Sequence, residues 1–492
     1  MCRLVLLLFH WLLWKHGHAF EVLFGESYPG YRIGSDLDAE SQRLHKRDMQ
    51  QFYDKAGYSF NGLERVASVP VPFPLDICML QLPSVKYATA LHKDAAGVRQ
   101  FAVYVWRAAE QDYELMLQQP APKAVALDCL AYAGLGYVAL SYNHSEPVMQ
   151  ARDGSPIYEL SPERVMRTVQ YFAGVHLRGM YLRISSQELT LLQAYEGGGT
   201  KRQPSCPYFK WTSGTFQRLG AIPCSNARRL EAFGIDYADY VAVANYASPD
   251  GRTSTHSEIY KYEPATRRFQ LFQRLRTNGA VDVKYFSLPV NEVSRRHFLI
   301  MGNTVGDAGA VGSAGEADTV IYVFDKGEFV PYQRLSFYGL ERFLPVTHSV
   351  SEKFLLFVAC SKQDVKIYNL NDWKFEESTV QFTEGAFSRG VARMRSYEEN
   401  EQSFIVIANE NMAANETNIF QPLYKQDEHA NVLRQQIIEW AREQTKRIDA
   451  VSLEQLLLAL KLKVSEREKH PRKIHIKRVK TKSVSNIMCT YA

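Results

Sequence analysis

Tyr240-Val241-Ala242-Val243-Ala244-Asn245, then Ser257-Glu258-Ile259-Tyr260-Lys261-Tyr262, then Phe272-Gln273-Arg274-Leu275 with Gly279 behind it, is the stretch that decides the fold. The first run is short, apolar and closed by Asn, the pattern of a buried strand. The second alternates, as a strand with two unlike faces does. The unit recurs. Its first run returns as Tyr87–Ala90, Tyr137–Leu140, Tyr181–Ile184, Phe298–Met301, Phe354–Val358 and Phe404–Ala408, which makes seven copies. The aromatic of the second run stands at Tyr104, Tyr158, Tyr208, Tyr260, Tyr322, Tyr368 and Phe420, with spacings of 54, 50, 52, 62, 46 and 52 residues. A sustained period of about 50 residues marks a propeller or a solenoid.

The third element is clearest as Phe216-Gln217-Arg218-Leu219, Phe272-Gln273-Arg274-Leu275 and Tyr332-Gln333-Arg334-Leu335, followed by Gly220, Gly279 and Gly339. Three strands and a fourth per unit make one antiparallel blade. No amphipathic helix interrupts the series between Tyr87 and Phe420, which excludes a helical solenoid. A closed ring hides edges that an open stack would expose. The expected fold is therefore all-β: a seven-bladed propeller over 61–424, with a C-terminal helical segment at 425–463 and a basic tail at 464–492. The first copy lacks a third element before it and the last has little after it. Asn418–Tyr424 is thus expected to complete a blade with Leu75–Leu91.

The order of these elements resembles the EAR (epitempin, or EPTP) repeat. The nearest copy runs from Ser257-Glu258-Ile259-Tyr260 through Phe272-Gln273-Arg274-Leu275 and Asn278-Gly279-Ala280 to Phe298, and Tyr240–Asn245 matches its buried strand. The resemblance covers roughly residues 75–424. The second copy departs from it, because Pro162–Phe172 lacks the Phe-x-x-Tyr-Gln-x-Leu element. The resemblance implies a secreted seven-bladed propeller that binds proteins and has no catalytic residues to carry over. A stand-alone propeller of this kind is also similar to a small set of insect eggshell proteins.

Met1–Ala19 has Arg3, an apolar core from Leu4 to Trp14 broken only by His10, and the small-residue site Gly17-His18-Ala19, the form of a signal peptide. That core is too short to span a bilayer as a helix. Residues 20–60 are polar and carry a dibasic pair at Lys46-Arg47, read as a solvated linker. The expected location is secreted, in the extracellular matrix. Two sequons, at Asn143 and Asn415, each follow a buried strand. Once Cys2 leaves with the signal, six cysteines remain. One pair is arguable: Cys206 precedes the Tyr208 strand and Cys224 follows the Phe216 strand, and a turn at Ser213-Gly214 brings them opposite each other. Buried free thiols are the alternative.

The chain carries +5, but residues 461–482 hold ten Lys or Arg against Glu466 and Glu468, so that segment is +8 and the remainder −3. Lys469, Arg472, Lys473, Lys477, Arg478, Lys480 and Lys482 suit an anionic glycan or matrix surface; a solvated tail is the bland reading. Export excludes nucleic acid as the partner. Val432–Lys463 reads as helix from the stripe of Leu433, Ile437, Trp440, Ala441, Ile448 and Val451.

No nucleophile elbow, metalloprotease motif, Walker loop or dinucleotide fingerprint is present, and the histidines form no metal-ligand spacing. No cofactor and no catalytic or metal residue is expected. Gly302–Asp318, rich in Gly, Ala and Asp, reads as an inserted loop and accounts for the 62-residue spacing. Three function classes stand: a non-enzymatic extracellular interaction protein with a protein partner, an enzyme with a central-channel site, and a glycan-binding lectin-like propeller. Against the enzyme stands the lack of acidic or histidine residues repeated at one blade position. Against the lectin stand the unequal loops. The interaction protein fits best.

Overall fold

The computed structural model describes residues 58–426, apart from 148, 186–187, 197–204, 290–294, 306–315, 348–352, 372, 381–386, 388–389 and 410–415. The described residues form seven four-stranded antiparallel sheets. Blades one to six are contiguous in sequence. Their inner strands are Pro74–Gln81, Ala124–Tyr132, Leu177–Ser185, Ala227–Ile235, Ala280–Pro289 and Leu340–Thr347. Blade seven has Val391–Glu399 inside, then Gln402–Asn409 and Thr417–Gln426. Its outer strand is Tyr58–Val69, from the other end of the described chain. The inner strands touch in sequence around the ring, and the seventh touches the first, so the ring is closed.

Closure corrects the expectation that Asn418–Tyr424 would pair with Leu75–Leu91. Those residues form the first two strands of their own complete blade. Thr417–Gln426 lies between Gln402–Asn409 and Tyr58–Val69 instead. The physical reason is that blade one already has four strands, whereas blade seven has only three after Val391. Two compact units divide the described residues: the ring proper, 62–349 with 353–423, and a second containing 58–61 and 424–426. Within the ring, Arg65 pairs with Glu416 at 2.6 Å. Within the second unit, Ser59 Oγ lies 3.5 Å from Lys425 O and Phe60 packs edge-on to Tyr424.

The helical segment expected at 425–463 lies outside the described residues, except that Lys425 and Gln426 end a strand. The signal peptide, Asn415 and the basic tail also lie outside them. Of the Gly302–Asp318 loop, Gly302–Asn303 and Glu316–Asp318 are strand.

The buried runs are the second strand of each blade, sealed on both faces by neighbouring blades. Ala238–Asn245 and Phe354–Cys360 are almost wholly buried. In the third strand, tyrosine is favoured because its ring is buried while its hydroxyl finds a carbonyl: Tyr104 donates to Pro70 O and Tyr260 to Pro223 O, both at 3.1 Å. Blade three departs from the sequence pattern. Tyr181–Ile184 lies on its inner strand, and its second strand is Glu188–Tyr195. Opposite Lys210, Thr190 stands where blade four has Tyr240 opposite Lys261, so the aromatic signature is missing there.

The outer strands explain the recurring glutamine. A register shift in the third-to-fourth strand pairing of blades one to five aligns them. Gln273 Nε2 donates to Phe329 O at 2.8 Å while its Oε1 accepts the Phe329 N–H at 2.9 Å. Gln333 clamps Phe375 in the same way, and Gln170 clamps Phe216. Each clamp joins one blade to the backbone of the next. Gln170 shows that the second copy keeps the contact although its sequence element is unrecognisable. By the same register Phe216 matches Phe269 and Phe329, so Phe216-Gln217-Arg218-Leu219 sits three residues out of step, and Gly220 takes the place of the clamping glutamine. A Cβ at Gly220 would meet Tyr208 Oη at 2.6 Å. Replacing Gln273 by Ala should lower stability by about 1–3 kcal/mol, because the Phe329 amide loses its partner. Denaturant unfolding of the two proteins measures this, and an unchanged midpoint counts against the clamp.

Candidate functional site

Each inner strand has an edge facing the channel with no further strand to pair it, so its N–H groups need other partners. All seven inner strands show a register shift at their second residue. The residues after it form three layers. The first is Asp76, Ala126, Gly179, Arg229, Asp282, Arg342 and Arg393. The second is apolar and buried in every blade: Ile77, Leu127, Met180, Leu230, Val283, Phe343 and Met394. The third is Cys78, Asp128, Tyr181, Glu231, Lys284, Leu344 and Arg395.

The carboxylates link blades. Asp76 Oδ2 accepts the N–H of Leu127 (3.1 Å), Asp128 Oδ2 that of Leu182 (2.8 Å), and Asp282 Oδ2 that of Phe343 (2.8 Å), each on the next blade. They also hold the cations. Arg393 reaches Asp76 at 3.4 Å, and Arg395 reaches Asp76 at 3.8 Å and Asp128 at 2.9 Å. Arg183 bridges Asp128 (3.5 Å) and Glu231 (3.3 Å), and Lys284 reaches Glu231 at 3.2 Å. Arg229 and Arg342 flank Asp282 at 3.8 and 3.5 Å.

Burial works to raise the Asp128 carboxyl, but Arg395, Arg183 and Arg229 outweigh it and hold it below its ordinary range. Glu231 is held down in the same way, against its burial, by Lys284, Arg183 and Arg229. Burial brings Lys284 down to about 8 although Glu231 opposes the shift.

Above these layers, at the end where the inner strands begin, is a cavity of about 720 Å³. Its charged lining is Arg178, Arg228, Arg342, Arg393 and Lys362 against Glu341. Glu196 ties Arg178 (2.7 Å) to Arg228 (3.3 Å). Arg228 lies over the Tyr246 ring at 4.6 Å, and Lys362 over the Tyr338 ring at 4.7 Å.

The residues singled out by sequence lie elsewhere. Cys206 and Cys224 form a disulfide with Cα atoms 5.9 Å apart, across the hairpin whose turn residues Ser213 and Gly214 both have positive φ. A second disulfide, Cys78–Cys129, staples the inner strands of blades one and two; no spacing argument pointed to it. Cys360 is a buried free thiol, pushed up to about 11 by burial. Asn143 is partly exposed just after the second strand of blade two. Among the described residues no group of three or more His, Cys, Asp or Glu side chains is placed to hold a metal, and no helix is long and apolar enough to cross a membrane. Sequence reasoning missed the channel residues. The signal available was a charged residue one or two positions from a lone aliphatic, about ten residues ahead of each buried run.

No family model matches the chain. Over 131 residues it is 32% identical to the Homo sapiens "Thrombospondin-type laminin G domain and EAR repeat-containing protein", which is 26% of this chain and 18% of that protein. Over 102 residues it is 34% identical to the Mus musculus protein of the same description, 21% of this chain and 14% of that one. The match thus spans under a fifth of the length of either relative. Among solved structures, Saccharomyces cerevisiae Sqt1 aligns with a TM-score of 0.45 at 8% identity, over 74% of this chain and 100% of that one. BBS1N in complex with ARL6DN aligns with a TM-score of 0.42 at 13% identity, over 74% and 97%. The match to EAR repeat-containing proteins and the seven blades together bear out this chain's resemblance to the EAR-repeat propellers.

Proposed function

We propose that this protein is a secreted, non-catalytic interaction propeller. The faces of its ring dock an extracellular protein partner. Lys469, Arg472, Lys473, Lys477, Arg478, Lys480 and Lys482 hold it to an anionic matrix. The setting is an extracellular matrix or eggshell (vitelline membrane) layer, where the bound protein supports receptor signalling, and Asn143 and Asn415 carry glycans. The observation that carries the non-catalytic reading is the fate of the channel carboxylates. Asp76, Asp128, Glu231 and Asp282 are all spent on guanidinium or ammonium partners. Asp128 and Glu231 are held below their ordinary range, away from the neutral values that general acids and bases need. Two disulfides suit an oxidising compartment.

A column of immobilised heparin, run with the full chain and with a chain ending at Leu460, tests the division of labour. The full chain should elute at higher salt, because the net positive charge of residues 461–482 adds attraction to heparin that only more salt screens. The shortened chain should elute early and still co-purify with its extracellular partner. Equal retention of the two chains sinks the tail assignment; loss of the partner with the tail sinks the ring assignment.

A further inference from the structure

We propose that the cavity at the head of the channel binds a compact oxyanion carrying two or more negative charges, of the class of a polycarboxylate, a phosphate or a sulfate ester. This goes beyond docking a protein partner. Four of the lining cations are arginines, on the inner strands of blades three, four, six and seven, so they border one space from several sides. An extended polyanion calls for a stripe of charge; a converging set calls for one compact group that several planar forks can grip at once. The volume is that of a small-molecule site.

The cations are also held in place. Glu196 fixes Arg178 and Arg228 from one side, and Tyr246 and Tyr338 carry Arg228 and Lys362. Gly339, with φ of +70°, is what lets Lys362 approach, because a Cβ there would lie 2.9 Å from Lys362 Cγ and 2.7 Å from Ser361 Oγ. The carboxylates beneath do not cancel the charge. Counting the cavity lining with Glu196 and the ion pairs below it, nine cations meet six carboxylates among the described residues, a local excess of three positive charges. The crowding has a cost: Arg342 is brought down to about 10 by burial and by the neighbouring Arg393. A bound anion relieves it.

The test is calorimetric titration of the full chain with citrate, inorganic phosphate and a monosaccharide sulfate, at constant ionic strength set by chloride. At least one should bind saturably at one site per chain, and the one that binds identifies the class. Arg178→Gln and Arg228→Gln should each weaken it about tenfold or more, the scale of one charge-assisted hydrogen bond. Lys362→Gln, at an exposed position, should weaken it severalfold. Arg107→Gln, in the hairpin joining the third and fourth strands of blade one, should leave it unchanged. Thermal melts of the variants verify that they fold. Absence of saturable binding for all three anions overturns the proposal. So does binding that survives the combined Arg178, Arg228 and Lys362 variant, since it then resides elsewhere, the basic tail included.

Discussion

A chain beginning at Pro70 should lose its cooperative thermal transition and enter aggregates on size-exclusion chromatography. The deletion removes the whole twelve-residue outer strand of blade seven. It leaves Thr417–Gln426 as a free edge, with Ile419 and Phe420, both buried in the intact ring, beside an exposed ladder. Val69, fully buried in the contact between blades seven and one, goes with it. Against a domain stability of about 5–15 kcal/mol, losing the strand that closes the ring is not a local defect. A truncated chain that melts as the full one does would show that the strand is an accessory.

The second large effect is expected at Asp128. Replacing it by Ala should cost about 3–5 kcal/mol, because Arg395 and Arg183 are left facing each other in the channel and the Leu182 amide loses its acceptor. Arg395 keeps Asp76 and Arg183 keeps Glu231, so the ring should still assemble, at lower stability. The pH dependence has a definite sign. The Asp128 carboxyl is held below its ordinary value, so its contribution is fully present above about pH 4, the unfolded value, and is lost as pH falls through the lower folded one. Denaturant unfolding of wild type and Asp128→Asn should therefore show a constant stability gap from pH 5 to 7 that shrinks below pH 4. A gap that persists at low pH would mean that shape, not charge, makes the residue necessary.

The parts of the fold legible in the sequence are those with uniform surroundings. The second strand of a blade is buried on both faces and reads as a plain apolar run, as in Tyr240–Ala244. The third carries the buried tyrosine, and together these two fixed the blade number and the period. The inner strand was nearly invisible because it mixes layers. In Asp282-Val283-Lys284 the charges look like a surface, although Asp282 is fully buried and its burial depends on partners four or more strands away in sequence. The outer strands misled by register, since Phe216-Gln217-Arg218-Leu219 shares its letters with Phe272-Gln273-Arg274-Leu275 but not its place against the bulge. Tyr58–Val69 begins inside the polar 20–60 segment and carries no strand signature, because an outermost strand needs only one apolar face, and Glu64 and Arg65 on it are exposed. The channel residues escaped for the same reason as the strand that bears them: ion pairs such as Arg395–Asp128, 267 positions apart, leave no local trace.

The last blade of the ring is built from both ends of the described chain. Ser59→Cys with Lys425→Cys tests it directly, because those residues are neighbours only if Tyr58–Val69 lies against Thr417–Gln426. After mild oxidation of the folded protein, peptide mass spectrometry should find the 59–425 link within a single chain, formed in high yield and raising the melting temperature. Absence of that link in folded protein, or its formation only between chains, would contradict completion of the last blade by Tyr58–Val69.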